Sequence, residues 1–93
     1  MKVPAQFEYL ATCFHSGSDR EHATMGDWVR STVRSFLTPE DRKIVKQYLD
    51  ELLEGAATDD DLQKLWRGRD SDIWLRTGAD VRRFLTMIRD ASG

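Results

Sequence analysis

Apolar residues recur at helical spacing along nearly the whole chain, and this periodicity most constrains the fold. The clearest segment begins at "TPED", where Thr38 is the predicted N-cap and Pro39 suits the first helical position. Gly55 follows the periodic run at the C′ position, where a left-handed residue is expected. We therefore predict a helix over 39–54. Its core-facing residues should be Ile44, Val45, Tyr48, Leu49, Leu52 and Leu53.

Two helices are predicted before this segment. The first spans about 4–15, with Pro4 at the first helical position. Its apolar residues repeat at i, i+3, i+4 and i+7, and they are Phe7, Leu10, Ala11 and Phe14. The second spans about 24–37 and carries an apolar stripe of Trp28, Val29, Val33, Phe36 and Leu37.

Two shorter patterns follow it. In "TDDDLQKLWRG", Thr58 caps a helix that should stop at Gly68, with apolar contacts from Leu62, Leu65 and Trp66. The last helix begins at Thr77 in "TGAD", a start that resembles a capping box. It should turn one set of residues inward, namely Val81, Phe84, Leu85 and Ile88. Three arginines on it should point mostly outward, namely Arg82, Arg83 and Arg89.

The predicted fold class is all-α, a compact bundle of four or five short helices. Ninety-three residues are too few for a second core, so 1–93 is expected to be a single helical domain. One segment stays open: "DSDIWLRTG" is either an extended link or a short strand near 72–76. The tryptophans Trp28, Trp66 and Trp74 are expected in or beside the core, although a surface tryptophan would be a binding anchor.

The stretch "CFHSGSDREH" places a thiol, two imidazoles and carboxylates within residues 13–22. If the helix continues to its end, Cys13 and His15 are rotated by about 200° and cannot grip one ion or form a thiolate–imidazole pair. The chain offers no second cysteine and no HxxxH spacing to complete a zinc site around His22. We therefore expect no metal, no cofactor and no catalytic group here, with Cys13 acting as a small buried hydrophobe.

Charge is distributed unevenly along the sequence. Residues 38–61 carry three positive and eight negative side chains, whereas residues 62–93 carry seven positive and four negative ones. An acidic middle third can steer a charged partner, although a solvated helix face also accounts for it. The candidate partner-binding residues are Asp50, Glu51, Glu54, Asp59, Asp60 and Asp61. The three consecutive aspartates are most simply explained as first-turn partners of a helix dipole.

The composition is that of an ordinary globular domain in a reducing compartment. A lone cysteine cannot form an intrachain disulfide, and no signal-peptide core follows Lys2, so a cytoplasmic location is expected. The sequence holds no apolar run of the roughly 18 residues that a membrane span needs. It also lacks a phosphate-binding loop, a nucleophile elbow and a calcium loop, so we do not expect an enzyme.

The order of these pieces resembles the immunity proteins of bacterial contact-dependent growth inhibition systems. The likeness extends from about Tyr9 to Ala91 through "YLATCFH", "YLDELLEG", "TDDDLQKLWRG" and "VRRFLTMIRDA". The family's opening Leu-x-x-x-Phe-His pattern is matched by Leu10, Phe14 and His15. The family then usually continues with Gln-Asp and an aromatic residue, whereas this chain continues with "SGS".

This resemblance implies a small cytoplasmic protein that binds the toxic C-terminal domain of a delivered effector and blocks it without catalysis. Many such toxins act on nucleic acid and present basic active sites, which an acidic helix face would complement. Two other interpretations remain open. One is an interaction or oligomerisation module outside toxin immunity. The other, which the acidic whole chain disfavours, is a nucleic-acid binder that uses Arg76, Arg82, Arg83 and Arg89.

Overall fold

Four of the helices begin at the same local motif, Thr-x-x-Asp. In each case the threonine hydroxyl accepts a hydrogen bond of 3.1 Å from the backbone N–H of the aspartate three residues later. This bond satisfies one of the backbone donors that a helix start leaves unpaired. The four capping residues are Thr24, Thr38, Thr58 and Thr77. The last three caps were predicted from the sequence.

A computed structural model describes residues 3–14, 22–68 and 75–93 of the protein, and this part of the chain contains five helices and no strand. They are α1 (Ala5–Cys13), α2 (Met25–Phe36), α3 (Pro39–Glu54), α4 (Asp59–Arg67) and α5 (Gly78–Ser92). The predicted all-α bundle is confirmed. The possible strand near 72–76 lies mostly outside the described residues, and Leu75 and Arg76 are not in a strand.

The core forms around α5, which packs against α2, α3 and α4, while α1 contacts α2 and α3. The predicted inward face of α5 is confirmed, because Val81, Phe84, Leu85 and Ile88 are all buried. Phe84 sits in an aromatic cluster with ring centroids 5.0 Å from Phe14, 5.2 Å from Trp66 and 6.2 Å from Trp28.

Burial agrees with most of the remaining predicted core residues. All four core residues predicted for the first helix are buried, and so are Trp28 and Trp66. Trp74 lies outside the described residues. The radius of gyration, 12.1 Å, matches the roughly 12 Å expected for a folded chain of this length. No helix in the described part of the chain is long and apolar enough to cross a bilayer.

Two predicted core positions are wrong. Phe36 and Ile44 remain 46% and 41% exposed, although both follow the apolar period of their helices. Phe36 is the last residue of α2, and Ile44 lies at the margin of the α3 stripe beside the buried Val45. Because a period of 3.6 residues marks a face only to within about one position, such marginal residues are the ones it misplaces.

Helix ends also differ in detail from the prediction. Pro4 is the N-cap of α1, with an extended backbone, and not its first helical residue. That helix ends at Cys13, so Phe14 has already left it, and His15 lies outside the described residues. Gly55 has φ −83° and ψ −165°, so the left-handed conformation predicted for it is wrong. A Cβ there would lie 2.8 Å from the Glu51 carbonyl oxygen, so close backbone approach explains the glycine.

Candidate partner-binding surface

The three aspartates of α4 lie where two helix N-termini meet. Gly78, the first residue of α5, packs directly on Asp59, the first residue of α4, and a Cβ on Gly78 would lie only 2.7 Å from the Asp59 Cβ. Each N-terminus carries a partial positive charge of about half an elementary unit. Asp59, Asp60, Asp61 and Asp80 therefore surround two positive helix ends at once. This arrangement gives the acidic run a structural role.

Asp61 completes a capping box. Its carboxylate accepts a hydrogen bond of 3.0 Å from the Thr58 backbone N–H, and its own N–H donates to the Thr58 hydroxyl at 3.1 Å. The bonds from Thr58 lower the pKa of the Asp61 carboxyl, because they stabilise its charged form. Asp61 therefore holds the start of α4, and its charge is already engaged within the fold.

Asp59 and Asp60 also have partners. The Arg82 guanidinium donates from Nε to the Asp59 carboxylate at 2.5 Å and from a terminal nitrogen to the Ala57 carbonyl at 2.9 Å. This arginine links α5 to the start of α4. Asp60 pairs with Lys64 one turn along α4 at 3.2 Å, with both side chains at least 70% exposed. The Asp60 pair is a surface pair of small energetic weight.

Asp50 belongs to a link between α3 and α5. Its carboxylate accepts a hydrogen bond of 2.8 Å from Lys46 and lies 3.7 Å from Arg89 Nε, with the Asp50 side chain 32% exposed. Arg89 also approaches Asp90 at 3.5 Å. The charge of Asp50 is therefore shared between two cations at a helix–helix contact, and a partner protein would have to compete for it.

Glu51 and Glu54 differ from the other four candidates. Both are exposed, and neither makes an ion pair with any residue in the described ranges. They lie in the last turn of α3, which contains no basic residue. Negative charge at this end of a helix opposes the dipole and costs roughly 0.3–1 kcal/mol per residue. Within the described part of the chain, these two carboxylates therefore have no hydrogen-bond or ion-pair contact that stabilises the fold.

A continuous exposed face of α3 joins these two glutamates to residues that the sequence analysis did not select. Ile44, Gln47, Glu51 and Glu54 follow one another at spacings of three or four residues, which aligns them along one side of a helix. All four are exposed, including the apolar Ile44. We call this set the α3 face. The spacing of these residues is visible in the sequence, but the apolar period of α3 predicts an inward position for Ile44.

The four arginines considered for nucleic-acid binding lie in different environments, two partly buried and two exposed. Arg82 and Arg89 are partly buried in the helix–helix ion pairs described above, so the prediction that they point mostly outward is wrong for them. Arg83 is 74% exposed and pairs with Asp80 at 3.1 Å. Arg76 is exposed, and its carbonyl accepts a hydrogen bond of 3.0 Å from the Gln63 side chain. The four guanidinium groups therefore do not form one free basic surface.

Cys13 is buried, as predicted, with 7% of its surface exposed. Its thiol donates to the Tyr9 carbonyl at 3.3 Å, and burial raises the pKa of the Cys13 thiol, which favours the neutral form. The predicted separation of Cys13 from His15 concerns a residue outside the described ranges. Within those ranges, no three His, Cys, Asp or Glu residues are grouped closely enough to hold a metal ion.

Comparison of the chain with protein-family models, with curated proteins and with solved structures gives no match.

Proposed function

We propose that this protein is a small protein-binding domain that neutralises a toxin, as the resemblance to immunity proteins of contact-dependent growth inhibition implies. Its partner would be the toxic C-terminal domain of the cognate effector, met in the cytoplasm. The observation that carries the proposal is the α3 face, where two exposed glutamates with no ion-pair partner among the described residues share one side of the helix with an exposed isoleucine.

The composition of the α3 face supports protein binding over a purely structural role. Four of the six acidic candidates have internal partners, whereas Glu51 and Glu54 oppose the dipole of their own helix. A cationic partner would remove this unfavourable interaction on binding. Ile44, 41% exposed, would supply apolar contact area next to the charges. Interfaces commonly combine an apolar centre with a complementary charged rim.

The proposed mechanism is occlusion. An active site that handles nucleic acid needs positive charge to hold phosphates, so it offers cations to the α3 face. Glu51 and Glu54 would pair with those cations and occupy the space of the nucleic-acid backbone. Asp50, Asp59, Asp60 and Asp61 would contribute to the long-range negative field while keeping their contacts within the fold. In this proposal the chain turns over no substrate.

The test is co-expression with the C-terminal domain of an effector encoded next to this chain. We expect the wild-type protein to restore growth of cells that produce the toxin domain and to co-purify with it. A double Glu51→Lys, Glu54→Lys variant should lose protection and weaken binding by at least about tenfold, because it places cations against cations. Circular dichroism checks that the variant remains helical.

The matched control is the double variant Glu8→Lys, Asp27→Lys, which changes the net charge by the same amount at exposed positions outside the α3 face and outside the six acidic candidates. It should keep protection. Equal loss in both variants would attribute binding to overall charge and refute the role of the α3 face. Failure of the wild-type chain to protect cells or to co-purify would refute the immunity proposal. Co-purification without protection would instead favour an interaction module of another kind.

A further inference from the structure

A groove lies between α2 and α5. The α3 face is a separate surface, because it lies on α3. Its larger part has a volume of about 330 Å³ and is lined by the apolar side chains of Met25, Leu75, Phe84 and Met87. A smaller cavity of about 180 Å³ shares Met87 and continues along the same helix pair past Gly26 and Ala91. The larger volume falls at the lower end of the range of small-ligand and peptide pockets.

The lining of this groove is suited to an adaptable apolar contact. Met25 is 46% exposed, although it is a large apolar side chain in the first turn of α2. Met87 is partly buried against the core, and Phe84 is almost fully buried, so the groove has a firm inner wall and flexible edges. Methionine is unbranched and polarizable and adjusts to partners of different shape, which explains its frequent use in peptide-binding grooves.

The charge at the edge of the groove is positive. Among the described residues, the charged side chains that line the larger cavity are Arg76, Arg83 and Asp80. Arg83 is 74% exposed and gives Asp80 one contact at 3.1 Å, which leaves further guanidinium donors for another carboxylate. Arg76 makes no ion pair with any residue in the described ranges. At the smaller cavity Arg30 and Asp90 balance each other.

The two flanks of α5 have different roles. Arg82 and Arg89 point toward α4 and α3, where Asp59 and Asp50 hold them. Arg83 and Met87 lie on the groove side, toward the start of α2. Ion pairs with other helices occupy the arginines on one flank of α5 but not those on the other. The groove therefore has a cationic character that the acidic chain as a whole lacks.

We propose that this α2–α5 groove binds a peptide segment of a partner protein in which one or two large apolar side chains are flanked by carboxylates. The apolar side chains would contact Met25, Phe84 and Met87, and the carboxylates would pair with Arg76 and Arg83. The apolar lining favours an acidic peptide over nucleic acid. A phosphate backbone could pair with the arginines but would leave the apolar surface unused.

The binding experiment uses the methionines as reporters. The chain has only three, so a protein labelled with ¹³C at the methionine methyl groups gives few resonances, and Met25→Leu and Met87→Leu variants assign the two in the groove. The probe is a short acetylated and amidated peptide with leucine and phenylalanine between aspartates. We expect saturable shifts of the Met25 and Met87 resonances. A peptide with lysines in place of the aspartates should bind at least about tenfold more weakly.

Paired variants separate the groove from general charge effects. The double variant Arg76→Glu, Arg83→Glu should weaken binding of the acidic peptide at least about tenfold. The control Arg34→Glu, Lys43→Glu makes the same change in net charge at exposed positions away from the groove and should change the affinity less than about twofold.

Three outcomes would overturn the proposal. They are the absence of methionine shifts at saturating peptide, equal binding of the lysine peptide, and equal losses in the two double variants. A single-stranded DNA oligonucleotide is titrated in parallel. If it shifts the same methyl resonances while the acidic peptide does not, the groove is a nucleic-acid site and the peptide proposal is wrong.

Discussion

At the scale of single residues, Gly78 is where the fold leaves least space. The backbone of Asp59 occupies the position that a Cβ on Gly78 would take. We expect Gly78→Ala to lower the free energy of unfolding by about 2–4 kcal/mol, because α5 must move away from α4 to accept the methyl group. Urea denaturation followed by circular dichroism measures this change.

Gly26 provides the control for that substitution. It lies in the first turn of α2, and the nearest atom to an added Cβ is the Thr24 hydroxyl oxygen at 3.8 Å. Gly26→Ala should therefore be neutral or stabilising, by up to about 1 kcal/mol, since alanine restricts the unfolded chain. If the two alanine variants have equal stability, the close packing of the α4 and α5 starts is contradicted.

Two phenylalanines test the assignment of the core. Phe84 is 1% exposed within the aromatic cluster, whereas Phe36 is 46% exposed at the end of α2. We expect Phe84→Ala to destabilise the protein by about 3–5 kcal/mol. Phe36→Ala should change the stability by less than about 1 kcal/mol. Thermal and urea unfolding of both variants measure this difference. A loss of stability for Phe36→Ala well above this limit would indicate that Phe36 is buried, as its spacing predicts.

The six acidic candidates show what a sequence can and cannot specify at this scale. The sequence correctly marked an acidic region, and it also predicted the dipole role of the aspartates after Thr58. It could not separate Asp50 from Glu51, because the difference is the contact of Asp50 with Arg89, nearly forty positions away along the chain. Long-range pairing of this kind depends on how α3 packs on α5.

At the scale of elements, helix starts were predictable because they are decided locally. The threonine caps at 38, 58 and 77 need only the three residues that follow them, and each forms the bond expected. Helix ends and margins were less predictable. The exposure of Ile44 depends on where the neighbouring helices lie, which the local sequence does not encode. Gly55 ends its helix in an extended conformation, although the sequence pattern predicts a left-handed one.

The capping box of α4 should give the stability a measurable pH dependence. The pKa of the Asp61 carboxyl is lowered in the folded protein from its ordinary value of 3.8, so its charged form stabilises the fold. This contribution is fully present above the ordinary value and is lost as the pH falls through the lower folded value. Asp61→Asn removes the titration. We therefore expect wild type to exceed the variant in stability at pH 6, with a difference that shrinks as the pH falls below the ordinary value.

Urea denaturation at a series of pH values measures that difference. Asp60→Asn is the control, because it removes one equal charge from the same helix turn without touching the capping box. If the stability difference between wild type and Asp61→Asn grew on acidification, the bonds from Thr58 could not be the cause of the pH dependence.

At the scale of the whole molecule, α5 separates two surfaces of opposite character. On the side of α3 and α4 its arginines neutralise Asp50 and Asp59, whereas Glu51 and Glu54 on the α3 face are exposed and have no ion-pair partner among the described residues. On the side of α2 the groove has cations at its edge and apolar side chains within. The sequence shows this division only as an acidic middle third and a basic final third, since the side of α5 on which each arginine falls follows from helix packing.

This division predicts how salt affects capture of a basic toxin domain. The unpartnered glutamates are exposed, so their field reaches about 10 Å at 0.1 M salt and about 3 Å at 1 M. We expect the association rate to fall at least about tenfold over that range, while the dissociation rate changes less, because steering acts on encounter. Stopped-flow or surface-binding kinetics measure both rates. The Glu51→Lys, Glu54→Lys variant should lose most of this salt dependence, whereas Glu8→Lys, Asp27→Lys should retain more of it. An association rate that is insensitive to salt in wild type would show that the α3 face does not steer the partner, whatever the affinity of the final complex.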